Sequence, residues 1–138
     1  MRPVETIGII GGNDGMGQWF KNFFTGRFDY RVLLSDLDTR LGNEDLAKES
    51  DLVLLSTPVE AAVTIAEQIG PILREDQLLM DLCSQKEVIV KKMVSSARCE
   101  VVGMHPMFGP FTESMKSQNI VLSPGRGREG IEIGRAHV

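Results

Sequence analysis

Thr6 to Phe20 reads TIGIIGGNDGMGQWF, and the reading of this stretch decides the fold. Ile7, Ile9 and Ile10 form an apolar, β-branched run that stops at Gly11 and Gly12. Beyond Gly15 and Gly17, apolar side chains recur at helical spacing at Met16, Trp19, Phe20, Phe23 and Phe24. Strand, glycine-rich turn and helix start are expected in that order. Glycines lack Cβ, so such a turn lets the backbone approach a pyrophosphate whose charge meets the N–H groups and positive dipole end of the helix. Gly11, Gly12, Gly15, Met16 and Gly17 are therefore candidate contacts to a dinucleotide. The spacing is G-x-x-x-G-x-G, about one residue longer than the commonest fingerprint. The carboxylate of Asp14 would compete with the phosphates, so Asp14 is expected to point away from them.

Composition narrows the rest. With 138 residues, 42% hydrophobic and 25% charged, the chain can bury one core and is one domain at most. A net charge of −4 without a basic run argues against a nucleic-acid partner, and no apolar stretch is long enough to span a bilayer. MRPVETIGII lacks the regions of a signal peptide, so a cytoplasmic location is expected. Cys83 and Cys99 lack metal-ligand spacing, and no metal site is expected. Cys83 reads as a small apolar residue at a strand end rather than a nucleophile.

Taken in order, Tyr30 to Leu34 reads as a second strand ending at Ser35-Asp36. Asp36 lies about twenty residues beyond the glycines, where a carboxylate can accept both ribose hydroxyls of NAD and would repel the 2′-phosphate of NADP. Arg40 keeps NADP open as the less favoured cofactor. Asn43 to Ser50 forms a short helix or turn. Asp51 to Ser56 is a near-continuous apolar run suited to a parallel strand covered on both faces, and it stops at Thr57-Pro58. A helical face then runs through Ala62, Val63, Ala66, Ile69 and Leu73, interrupted at Gly70-Pro71. Gln77 to Leu82 is a strand, Cys83 to Lys86 a turn, Glu87 to Ala97 a helix, and Glu100 to Met104 a strand ending at His105-Pro106. Strands alternating with helices at this spacing imply an α/β, Rossmann-type, doubly wound parallel sheet. Ligands of such sheets lie outside the carboxyl ends of the strands, where Thr57, Ser84 and His105 stand. The apolar frame of Met104, Met107 and Phe108 suits a neutral imidazole able to take a proton. Lys86 reads as a solvated side chain.

GGNDGMGQWF, STPV (Ser56 to Val59), DLCSQK (Asp81 to Lys86), GMHPMFGP (Gly103 to Pro110) and VLSPGRG (Val121 to Gly127) together resemble the cofactor domain of the prephenate and arogenate dehydrogenases. The resemblance covers nearly the whole chain. It implies NAD-dependent oxidative decarboxylation of prephenate to 4-hydroxyphenylpyruvate, or of arogenate to tyrosine, in tyrosine biosynthesis. His105 would then accept the proton of the substrate hydroxyl, with Ser84 bonded to the same hydroxyl or holding the His and nicotinamide. Gly11, Gly12, Gly15, Met16, Gly17, Asp36, Thr57 and Pro58 would hold the cofactor. Two other readings stay open: another NAD(P)-linked dehydrogenase or reductase, and a dinucleotide-binding regulatory module without catalysis.

The family would continue past Glu132 into a helical domain that closes the cleft and makes a homodimer. Residues 1–132 are therefore expected to be a truncated cofactor domain, inactive alone, leaving Met104, Met107, Phe108, Phe111 and Met115 partly uncovered. Ile133 to Val138, IGRAHV, back-translates to a common sequencing-adapter read. It is expected to be a non-native tail, with no role for His137.

Overall fold

The computed structural model describes residues 3–12, 15–116, 118–126 and 134–137. The expected alternation forms as β1 (Thr6–Ile10), α1 (Gly15–Arg27), β2 (Arg31–Ser35), α2 (Asn43–Glu49), β3 (Leu52–Leu55) and α3 (Val59–Ile69). It continues as a 3₁₀ turn (Gly70–Ile72), β4 (Leu78–Asp81), α4 (Lys86–Ser96) and β5 (Glu100–Pro106). Two further strands follow, β6 (Asn119–Arg126) and β7 (Gly134–His137). The sheet order is β2-β1-β3-β4-β5-β6-β7. β1 to β5 are mutually parallel, whereas β6 and β7 add antiparallel.

That antiparallel extension departs from the all-parallel expectation, and β6 explains why it is hard to read. Pro124 and Gly125 interrupt its apolar alternation, and the β5–β6 register shifts between Val101 and Val102, so proline sits at an irregularity where a missing ladder N–H costs little. Pairing with β6 also carries β5 through His105 and Pro106, opposite Val121 and Ile120. The tail contributes β7, whose residues pair with Asn119 to Leu122 of β6. An open edge offers unpaired N–H and C=O groups to any extended segment.

Period-two alternation sorts the core into two faces. Ile10, Val53, Leu55, Leu79 and Val101 join residues of α2, α3 and α4 on one face. On the other, Ile7, Ile9, Leu54, Met104 and Ile120 pack with Phe20 of α1 and with Met115. On α1 the rings form a continuous cluster, with Trp19 stacked on Phe23 at 5.4 Å and tilted against Phe108 at 4.8 Å. The Trp19 indole N–H donates to the Thr112 carbonyl. The uncovered patch is smaller than expected: Met104 and Met115 are buried, while Met107 is 52% and Phe111 96% exposed. Met115 can be buried because the segment after β5 folds back over α1.

Polar side chains sew the amino end of the sheet. The Asp51 carboxylate accepts the Glu5 and Thr6 N–H groups, both at 2.9 Å. The buried Gln77 amide donates to the carbonyls of Ala47 and Ser50 at 2.6 and 2.7 Å.

Candidate functional site

β1 lies between β2 and β3, so the connections leaving it diverge and open a crevice at the carboxyl ends, the usual ligand site of such sheets. Gly11 turns the chain there at φ 84° and donates its N–H to the Ser35 carbonyl at 2.7 Å. A Cβ at Gly11 would collide with the Ser56 carbonyl. A Cβ at Gly17 would stand 2.5 Å from the Gly11 oxygen and 2.8 Å from Gly12 Cα, so α1 can begin against the turn only because that residue is glycine. Gly15 has φ 56° and faces open space. Asp14 lies outside the described residues.

Three clefts follow the carboxyl edge. One of about 270 Å³ is lined by Gly11, Asp36, Leu37, Thr57, Pro58 and Ile65 among others. A second, about 280 Å³, joins Gly15 and Met16 to Ser56, Thr57 and Leu82. The third, about 480 Å³, includes Thr57, Pro58, Leu82, Cys83 and Ser84. Thr57 belongs to all three, and its buried Oγ1 has no hydrogen-bond partner. A bare glycine turn opening a helix, with a carboxylate at the next strand end, suits a dinucleotide, and the residues present fit that group.

At the first cleft, Asp36 Oδ1 accepts the Leu37 N–H at 2.8 Å and the Thr39 hydroxyl accepts the Asp36 N–H at 2.9 Å. The turn is thereby closed on itself, with Leu37 fully exposed at the cleft mouth. Arg40 is exposed and does not line the cleft.

At the third cleft the sequence reading of Lys86 is corrected. Its ammonium lies 2.7 Å from Asp81 Oδ2, with Lys86 only 18% exposed and Asp81 fully buried. A buried carboxylate needs a counter-ion, and the lysine five residues on supplies it. The clue was an aspartate closing an otherwise apolar run, LLMD. Cys83 donates its N–H to the same Oδ2 at 2.9 Å, and its thiol points to the Thr57 carbonyl at 3.6 Å. Burial first, then the neighbouring Asp81 charge, push the thiol up to about 12, so Cys83 is a protonated packing group and not a nucleophile.

Thr57 and Ser84 are thus brought into one cleft. His105 stands half-buried on β5, two residues beyond Gly103, which pairs with Asp81 at the end of β4. It does not line the cleft of Ser84.

Comparison with known proteins matches residues 32–133 to a family described as prephenate dehydrogenase, nucleotide-binding domain. A probable arogenate/prephenate dehydrogenase of Methanocaldococcus jannaschii is 32% identical over 143 residues, covering 92% of this chain and 32% of the relative. The T-protein of Enterobacter agglomerans is 33% identical over 132 residues, covering 96% of this chain and 34% of the relative. The chain therefore spans about a third of the length of these curated relatives. Among solved structures, prephenate dehydrogenase from A. aeolicus, in complex with hydroxyphenyl propionate and NAD+, superposes with a TM-score of 0.68 at 22% identity. That match covers 89% of this chain and 51% of that one. An NADH-preferring ketol-acid reductoisomerase from an uncultured archean reaches 0.72 at 17% identity, over 87% of this chain and 43% of that one. At such identities the superpositions establish the fold, and the family match extends over most of the chain: it belongs to the nucleotide-binding domain family of the prephenate dehydrogenases.

Proposed function

We propose that this chain is the dinucleotide-binding part of an enzyme that oxidatively decarboxylates prephenate to 4-hydroxyphenylpyruvate, or arogenate to tyrosine, with NAD preferred over NADP. The observation that carries the reading is the row of clefts meeting at Thr57, from Asp36 past the glycine turn to Ser84. Gly11, Gly12, Gly15, Met16 and Gly17 hold the pyrophosphate, and Asp36 accepts the ribose hydroxyls. Thr57 and Pro58, which line the clefts between those contacts and Ser84, would also hold the cofactor. Bound nicotinamide supplies the hydride acceptor. His105 takes the proton from the hydroxyl on the substrate carbon that loses hydride, and Ser84 bonds the same hydroxyl or holds the His and nicotinamide in place. Carbon dioxide then leaves because the ring becomes aromatic. The chain contributes orientation and one proton transfer, the latter worth about a hundred- to ten-thousandfold in rate.

Both candidate substrates carry carboxylate, which calls for a cation beside the reacting ring. At the Ser84 turn Lys86 is committed to Asp81, so that cation comes from a further domain of the longer enzyme, through which it forms a homodimer in the cytoplasm.

Calorimetric titration of the 138-residue chain with NAD tests the cofactor role. Saturable one-to-one binding is expected. A chain that binds neither NAD nor NADP would overturn the proposal.

A further inference from the structure

The turn between β4 and α4 is organised by one carboxylate. Asp81 has no exposed surface, and its Oδ2 receives both the Cys83 N–H and the Lys86 ammonium. The first bond spans two residues and bends the chain. The second ties the first residue of α4 to the last residue of β4. Ser84 lies between these two anchors, exposed on the cleft it shares with Thr57. The opposite strand makes room for the pair. A Cβ at Gly103 would sit 2.8 Å from Val90 Cγ2, 3.0 Å from Lys86 Cδ and 3.3 Å from Asp81 Oδ1, so the glycine lets the lysine stem pack closely across the strand ends. Oδ1 has no hydrogen-bond partner, so the carboxylate is held through Oδ2 and the surrounding packing.

Such an arrangement is costly if its only purpose is stability, because a buried ion pair is often no better than an apolar replacement. It does hold a short loop in one conformation. We infer that Asp81, clamped by Lys86, is a positioning residue for Ser84, setting the hydroxyl that meets the nicotinamide end of the dinucleotide. The inference rests on the cofactor reading above. Adenosine and pyrophosphate contacts, at Asp36 and the glycines, lie elsewhere on the crevice, so the clamp acts on one end of the ligand only.

NADH and ADP-ribose separate the two ends, since ADP-ribose lacks nicotinamide. The unmutated chain is expected to bind NADH more tightly. Asp81→Asn and Lys86→Met should each leave the ADP-ribose affinity within error while reducing the NADH advantage by about fivefold, the loss of one ordered hydrogen bond. Lys86→Arg should restore it, and ¹⁵N relaxation should show the Ser84 amide loosened in the first two variants and not in the third. Should one variant fail to fold, by circular dichroism, the other still reads the clamp. Equal losses for both ligands would make the pair merely structural and overturn the inference, as would an unchanged NADH advantage in either folded variant. An unmutated chain that binds neither ligand would overturn the cofactor reading first, and this inference with it.

Discussion

Asp36 Oδ1 accepts the Leu37 N–H within its own turn, and the proposed cofactor role would give the carboxylate a second task, meeting the ribose hydroxyls. Asp36→Ala should therefore narrow the preference for NAD over NADP mainly by relieving repulsion of the 2′-phosphate, not by loosening NAD greatly. Paired calorimetric titrations check this, and equal affinities in the unmutated chain would shift attention to Arg40. At His105 the expectation concerns rate. In the longer enzyme, His105→Asn should keep NAD binding and lose about a hundredfold or more in turnover, with Ser84→Ala costing less; undiminished turnover in His105→Asn would remove the proposed base. Cys83 gives a third residue-level expectation. Its thiol is raised to about 12, so folding holds a proton that the unfolded chain releases near pH 9. This contribution to stability is present below pH 9 and lost as pH rises from there toward 12. Iodoacetamide at pH 8 should leave Cys83 and the buried Cys99 unmodified in the folded chain and alkylate both in denaturant.

At the scale of elements, β1 to α4 were readable because each strand carries an apolar run and each break carries glycine, proline or aspartate. Position within the crevice followed from the same logic, since strand ends in a parallel sheet share one edge. β6 escaped because Pro124 and Gly125 destroy its pattern, and its pairing with β5 and β7 makes it a strand. The Asp81–Lys86 pair escaped for another reason: five residues of spacing say nothing of burial, which depends on Gly103 of a neighbouring strand leaving space. Gln77 shows the same limit. Nothing in ILREDQLL marks it as buried, yet its amide bonds two carbonyls at the α2–β3 junction. Gln77→Ala should cost about 2 to 4 kcal/mol, because it strands buried acceptors as well as losing bonds. Urea denaturation would read that loss, and a change below about 0.5 kcal/mol would mean that water replaces the amide without penalty.

For the whole molecule, the described residues contain no helix long and apolar enough to cross a membrane, and the clefts that meet at Thr57 follow the carboxyl edge of the sheet. The chain should bind NAD and yet form no NADH with prephenate, because the cation nearest Ser84 in sequence is already paired. Appreciable turnover by a monodisperse monomer would show instead that this part alone holds a complete site. Exposed Phe111 and Met107 should favour association at high concentration, which light scattering of Phe111→Ser against the unmutated chain would detect as a reduced apparent mass.

Trp19 is the single tryptophan, wedged between Phe23 and Phe108 with its indole N–H tied to the loop that follows His105 and Pro106. Its emission is therefore an internal gauge of whether that loop rests on α1. A short emission wavelength should accompany the docked loop, and a shift to the red should mark its release, so the opening of the segment beside the proposed base can be followed in real time without attaching a label.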